Sequence, residues 1–276
     1  MPRTTLRRQD DPVTSAELRR AVGAAVLLPG TGSDEVFVRR VFAGPLADAG
    51  LSLVAPRPRP GPALAECHLA ALDTAADRHG TILTGGISFG AHLAAEWAVA
   101  NPTRCAGLLV ALPGWHGTPA DAPGSVAART GATAVDTEGI DRTLAAATDG
   151  VPAWLARELD RAWRRAGDGL ADSLRVAAGR PAPTLRRLGG LTVPAGVAGC
   201  VDDAVHPLAV AREWADALPY AALRTITFAQ LGADPAALGR AVLAAFAAAD
   251  RLWVPDRVGD DHRDDHERGQ DAQQQR

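Results

Sequence analysis

Apolar runs and segments of helical period alternate along most of this chain. Val22 to Leu28 is a continuous apolar run ending at Pro29-Gly30, the pattern of a strand buried on both faces. Glu35 to Ala49 reads as a helix stopped by Gly50, and Leu51 to Ala55 as a second short strand closed by the Pro-rich stretch RPRPGP. Over 63–79, Leu64, Cys67, His68, Ala71, Leu72 and Ala75 share one helical face, with Gly80 as the stop. A third strand is predicted over 81–84, a helix over 92–100 ending at Asn101-Pro102, and a fourth strand over 107–112. The rhythm then breaks. Between Trp115 and Gly190 no strand pattern occurs, and two helices are predicted, over 152–166 and 170–178. Alternation resumes with a strand over 193–199, a helix over 207–218, a strand over 223–227 and a helix over 235–249. Past Arg251 the residues turn to Asp, Arg, His and Gln, a composition that predicts disorder.

This order predicts an α/β protein with a doubly wound, mostly parallel sheet and a helical insertion after the fourth strand. The core comprises 21–114 and 191–250, and the insertion 115–190. An N-terminal extension covers 1–20 and a polar tail 251–276. No internal repeat is present.

Composition narrows the chemistry. At 276 residues and 47% apolar content the chain can build a packed core, which excludes wholesale disorder. It contains no lysine, so Schiff-base catalysis, a PLP anchor and a P-loop lysine are excluded. The net charge of −3 lies in the tail: Asp250 to Arg276 holds eight acids and five arginines, leaving 24 of each in the body. A neutral body carries no electrostatic footprint for nucleic acid or an anionic membrane. Cys67, Cys105 and Cys200 are widely spaced and form no CxxC, which predicts free thiols in a reducing compartment. No apolar run follows the basic N-terminus, and none reaches the ~18 residues of a membrane span. The expectation is a soluble cytoplasmic protein acting on a small molecule, without metal or cofactor. His262 and His266 have metal-ligand character four residues apart, but that spacing aligns ligands only on a helix.

The sharpest chemical signal is Gly86-Ile87-Ser88-Phe89-Gly90, a G-x-S-x-G between a predicted strand and a predicted helix. Such a turn is so tight that its serine takes unfavourable backbone angles, and the flanking glycines remove side chains that would collide. The hydroxyl then stands at a helix N-terminus, where the dipole favours developing negative charge. A dinucleotide loop does not fit, because Gly85, Gly86 and Gly90 do not space as G-x-G-x-x-G, and Gly30-Thr31-Gly32 is followed at the third position by Glu35.

From about residue 20 to 250 the chain resembles the α/β-hydrolase family. Besides the elbow, Leu27-Leu28-Pro29-Gly30-Thr31-Gly32-Ser33 stands where that family carries its oxyanion loop. Gly199-Cys200-Val201-Asp202-Asp203-Ala204-Val205-His206-Pro207 resembles its acid loop, and 115–190 occupies its cap position. The family's first β-hairpin is shortened. The resemblance implies Ser88 as nucleophile and the backbone N–H groups of Phe89 and Thr31 as the oxyanion hole, each well-placed donor contributing ~3–4 kcal/mol. It implies Asp203, four residues before Pro207, as the acid that orients the base, with Asp202 as the competitor.

The same resemblance places the catalytic histidine after the last strand, yet Thr227-Phe228-Ala229-Gln230-Leu231-Gly232-Ala233-Asp234-Pro235 contains none. Gln230 cannot accept a proton at neutral pH. The candidate substitutes are His206, beside the acid, and His116, which opens the cap next to Trp115 and could also contact substrate. His92 reads as a buried core histidine, and His68 and His79 as structural residues on a helix away from that edge. Removing the base from a Ser-His-Asp site abolishes nearly all of the triad's ~10⁶ contribution, leaving ~10³ to 10⁴ from binding and the oxyanion hole. Two readings follow. One is a serine hydrolase of small esters or amides with an atypically sourced base. The other is a catalytically degenerate relative that binds a ligand, with Trp115, Trp154 and Trp163 of the cap available to an apolar one.

Overall fold

A computed structural model describes residues 24–253. Six parallel strands form one sheet in the order β2-β1-β3-β4-β5-β6. They are β1 (Ala25–Leu28), β2 (Leu53–Val54), β3 (Ile82–Ile87), β4 (Cys105–Ala111), β5 (Ala195–Cys200) and β6 (Ala221–Ile226). Every residue of β1, β3, β4 and β5 is buried, as expected of strands covered on both faces. Alternation along β1 divides the core: Val26 and Leu28 face one layer, Ala25 and Leu27 the other.

The first layer contains α2 (Leu64–His79), α3 (Phe89–Ala100) and α9 (Leu208–Ala217), centred on Leu72, Leu93, Leu108 and Trp214. The second contains α1 (Glu35–Asp48) and α11 (Ala236–Asp250), centred on Val41, Phe42, Leu109 and Val242. The strand order reverses between β1 and β3, so the loops leaving those two strands meet at the switch point, where ligands of open α/β sheets bind.

Between β4 and β5 lie α4 (Pro123–Glu138), α5 (Ile140–Thr148), α6 (Ala153–Ala166), α7 (Leu170–Gly179) and the single turn α8 (Leu185–Leu188). Helices α4 to α7 form a cap with its own small core of Ala132, Leu144, Ala162, Trp163, Leu170 and Leu174. Two sets of ion pairs tie it down. Asp34 caps α1 by accepting from the N–H groups of Val36 and Phe37, and also receives Arg161 at 2.7 and 3.0 Å and Arg165 at 2.9 Å from α6. Arg180, after α7, forks onto Glu96 of α3 at 2.9 and 3.1 Å.

Three expectations need correction. Strand β3 runs on to Ile87 instead of ending at Thr84, and α3 starts at Phe89 instead of His92, so no loop separates them beyond Ser88. The cap also holds two helices, α4 and α5, that the apolar periodicity did not predict, because α4 is rich in Ala, Gly and Thr and buries only Ser125 and Ala132. Trp253, expected in the tail, is part of the described body and donates from Nε1 to the Thr192 carbonyl at 2.7 Å. The extension 1–20, the remainder of the tail, His262 and His266 lie outside the described residues.

Candidate active site

Ser88 is the single residue between β3 and α3, with φ 53° and ψ −119°. This left-handed conformation is strained for a residue with a Cβ, and it persists because both neighbouring elements hold it. Its N–H donates to the Ala111 carbonyl at 2.9 Å, and its own carbonyl accepts from Ala91 and His92. The glycines of the motif are required by close approach. A Cβ on Gly86 would lie 2.6 Å from the Leu28 carbonyl oxygen, and one on Gly90 would lie 2.6 Å from that of Pro29. The oxyanion-type loop therefore packs directly on the elbow. A Cβ on Gly30 would likewise reach the Ser88 Cβ at 3.3 Å.

The loop after β5 brings up the other two groups. His206 Nε2 lies 2.8 Å from Ser88 Oγ, and His206 Nδ1 lies 2.8 Å from Asp203 Oδ2. Asp203 Oδ1 accepts from the backbone N–H groups of Val205 and His206 at 2.8 and 3.1 Å, so the carboxylate folds its own loop and aims the ring. Burial opposes charge on Asp203. Hydrogen bonding from His206, the charge of that ring and the two N–H groups outweigh it and hold the carboxyl below its usual value. An ionised Asp203 fixes the tautomer in which Nδ1–H donates to it, leaving Nε2 to accept from the Ser88 hydroxyl.

Asp202, the competing acid, points elsewhere: it accepts from the Phe228 N–H at 2.7 Å, at the start of α10 (Phe228–Ala233). Gln230 is also committed, since its side chain accepts from the Thr227 N–H at 2.8 Å in a capping box. Phe89 is the first residue of α3, so its N–H has no partner within the helix. Thr31 and Phe89 line the cavity above Ser88.

The remaining histidines separate by environment. His92 is buried, and its Nε2 accepts from the Gly114 N–H at 3.0 Å. Its ring packs edge-on against Trp115, with ring centres 4.4 Å apart. Burial, with the nearby His206 charge, pulls its pKa down to about 3. His116 does not line the cavity. It pairs with Glu213 at 3.2 Å on the exposed side of α9, whereas neighbouring Trp115 does line it. His68 is buried, as expected of a structural residue, but its helix is not remote: it borders a side cavity of about 70 Å³ behind residues 30–35. Burial lowers its pKa to about 4. Cys67, Cys105 and Cys200 are free, and burial pushes the Cys105 and Cys200 thiols up to about 12. Among the described residues no cluster of His, Cys, Asp and Glu could hold a metal, and no helix is long and apolar enough to cross a membrane.

The main cavity, about 740 Å³, opens over Ser88 and is roofed by the cap. Its walls include Trp115, Trp154 and Trp163, and the edge of Trp163 rests on Gly32, where a Cβ would lie 2.7 Å from Nε1. The sequence reading missed Asp34, Arg161, Arg165 and Glu158, which lock the cap to the loop after β1. The available signals were Asp34 at an N-cap position and the i, i+4 pair Arg161 and Arg165 on one helix face.

A parallel doubly wound sheet, a serine elbow after its third strand and a cap between the fourth and fifth define the α/β-hydrolase fold. Solved structures of similar fold include a thermophilic esterase from Thermogutta terrifontis, 22% identical with a TM-score of 0.59 over 75% of this chain and 82% of that one. MenH from Staphylococcus aureus is 14% identical with a TM-score of 0.65, over 83% and 95% of the two chains. A hydrolase from Pseudomonas aeruginosa is 21% identical with a TM-score of 0.61, over 80% and 89%. At these identities the likeness concerns the fold. No family model and no curated protein matches the chain.

Proposed function

We propose that the protein is a serine hydrolase of small ester or amide substrates. In this reading Ser88 is the nucleophile, His206 the general base and acid, and Asp203 the group that orients the ring. The observation that supports it is the His206 imidazole, 2.8 Å from Ser88 Oγ on one side and 2.8 Å from Asp203 on the other. Ser88 Oγ attacks the substrate carbonyl carbon as His206 Nε2 takes its proton, and the carbonyl π electrons move onto oxygen. The N–H groups of Phe89 and Thr31 stabilise that oxyanion. Collapse expels the alcohol or amine, which receives the proton from His206, and water repeats the sequence on the acyl-serine.

The alternative, a degenerate ligand-binding relative, drew its support from the missing histidine after β6. With an imidazole within hydrogen-bond reach of Ser88, no observation favours it. Fluorophosphonate labelling of the intact protein tests the reading. Labelling is expected at Ser88 and absent in Ser88→Ala and strongly slowed in His206→Gln. An unlabelled wild-type protein would refute it.

A further inference from the structure

The cavity carries a substrate preference. Among the described residues no arginine lines it, and the chain has no lysine, so its ionisable lining groups are Glu138, Glu158, Asp203 and His206. His206 is committed to Ser88 and Asp203. The nearest cap arginines are committed too: Arg161 to Asp34 and Glu158, Arg165 to Asp34 and Glu35. A carboxylate or phosphate entering this space would lose its water without gaining a free cation, because Glu158 already holds Arg40 and Arg161, and it would meet the exposed Glu138.

Apart from the hydroxyl residues Thr31, Ser33, Ser88, Thr130 and Thr143, the remaining lining is apolar and varied in size. Large side chains, Phe89, Trp115 and Phe228 among them, surround the serine end. The α4 wall is built of small residues at helical spacing: Gly124, Ala127, Gly131 and Ala134. It begins beside the His206 loop, since a Cβ on Gly124 would lie 3.4 Å from the Val205 carbonyl oxygen. From there to Ala134, at ~1.5 Å per residue, the wall extends about 15 Å. With ~1.5 Å C–C bonds an extended alkyl chain advances roughly 1.3 Å per carbon, so about a dozen carbons fit along it. Ala146 and Ala147 of α5 add further small side chains to the lining, beside Thr143.

We propose that the site selects uncharged esters bearing an apolar chain of about eight to twelve carbons, laid along the α4 wall, and discriminates against anionic substrates. This rests on the hydrolase reading for turnover but not for binding, and the experiment keeps the two apart. Turnover is measured with p-nitrophenyl esters from acetate to dodecanoate and with alkyl acetates of the same chain lengths. In one of the two series kcat/KM rises by about fourfold per methylene, the ~0.8 kcal/mol of a buried CH₂, until the wall is filled. The mono-p-nitrophenyl ester of adipic acid, with its free carboxylate, is turned over at least about 100-fold less efficiently than the hexanoate, as expected of a charge buried without a partner. Ala134→Phe, which fills the far end of the wall, lowers the ratio of the twelve-carbon to the two-carbon substrate in the responding series at least about tenfold, the worth of roughly two buried methylenes.

Binding is read on Ser88→Ala through the fluorescence of the three cavity tryptophans, with 2-decanone and decanoate as probes at pH 7.5. The ketone is expected to bind at least about tenfold more tightly than the carboxylate. If no Ser88-dependent turnover occurs but the ketone binds selectively, the hydrolase reading fails and the cavity assignment stands. Flat responses in both ester series, or decanoate binding as tightly as 2-decanone, would overturn the assignment.

Discussion

Two imidazoles held neutral inside the first core layer make the fold sensitive to mild acid. His68 and His92 are each about 3% exposed or less, and burial lowers their pKa values to about 4 and about 3 from 6.5. His92 has a second reason to stay neutral: its Nε2 accepts from the Gly114 N–H, and a proton there would face another donor. Because the folded values are depressed, the unfolded chain binds more protons between pH 6.5 and about 4 for His68, and between 6.5 and about 3 for His92. Stability is therefore full above 6.5 and declines as pH falls through that window. At pH 5.5 each group costs RT ln(1 + 10), about 1.4 kcal/mol, and the pair about 3 kcal/mol. That figure depends on the unfolded pKa and hardly on the folded one. Asp34 and Asp203 do not blur the window: their pKa values are lowered, so their contribution is present above the usual carboxylate value of 3.8 and lost only below it. Urea unfolding followed by circular dichroism at pH 7.5 and 5.5, at constant ionic strength, measures the difference. His68→Leu should remove about half of it, ~1.4 kcal/mol. A wild-type stability that is unchanged at pH 5.5, or a pH response that His68→Leu leaves intact, would refute the reasoning.

Further outcomes are expected at the site and its supports. Ser88→Ala and His206→Gln should each lower kcat by about 10³-fold or more, and the double variant no further, since the two act as a unit. Asp203→Asn should cost about 10³ to 10⁴ in kcat, whereas Asp202→Asn should stay within a few fold and cost at most ~1 kcal/mol as a lost cap at α10. Steady-state kinetics on one ester separates the two aspartates. Gly90→Ala forces a Cβ into the Leu28 and Pro29 carbonyl oxygens, and should destabilise by about 3 kcal/mol in urea unfolding, because only backbone can yield. Asp34→Ala removes the α1 cap and the shared partner of Arg161 and Arg165. A loss of about 3 kcal/mol is expected, below the 3–5 of a fully buried pair plus a cap because Arg161 keeps Glu158. A double-mutant cycle with Arg161→Met isolates the pair.

What the sequence revealed followed local rules. The buried strands stood out because parallel strands covered on both faces are unbroken apolar runs, and the elbow because its glycines answer to collisions within a few residues. The segments it misjudged depend on distant partners. Helix α3 starts at Phe89 because the Ser88 backbone is pinned by Ala111 on β4, and Gly90-Ala91 gives no periodic signal of its own. Helices α4 and α5 use small residues as cavity wall, so their apolar pattern is divided between a space and the small cap core. The paired arginines of α6 were visible as charges, but their meaning required Asp34, 127 residues away in the chain.

The position of the base is the instructive case. A histidine after β6 has to be placed by a separate loop, so its absence there looked like a missing function. In the proposed site acid and base occupy one turn, Asp203 to His206, and Asp203 organises that turn by accepting two of its N–H groups. The pair needs nothing from the segment after β6 except room. That segment has accordingly become structure: Thr227 and Gln230 close a capping box, Asp202 caps the same helix, and Phe228 and Leu231 face the cavity. Trp154 descends from the cap onto Gly232 and onto Phe228, its ring centre 5.0 Å from that of Phe228. With the proposed base at position 206, Phe228 and Leu231 serve as apolar wall, the surface that the proposed uncharged chain would meet.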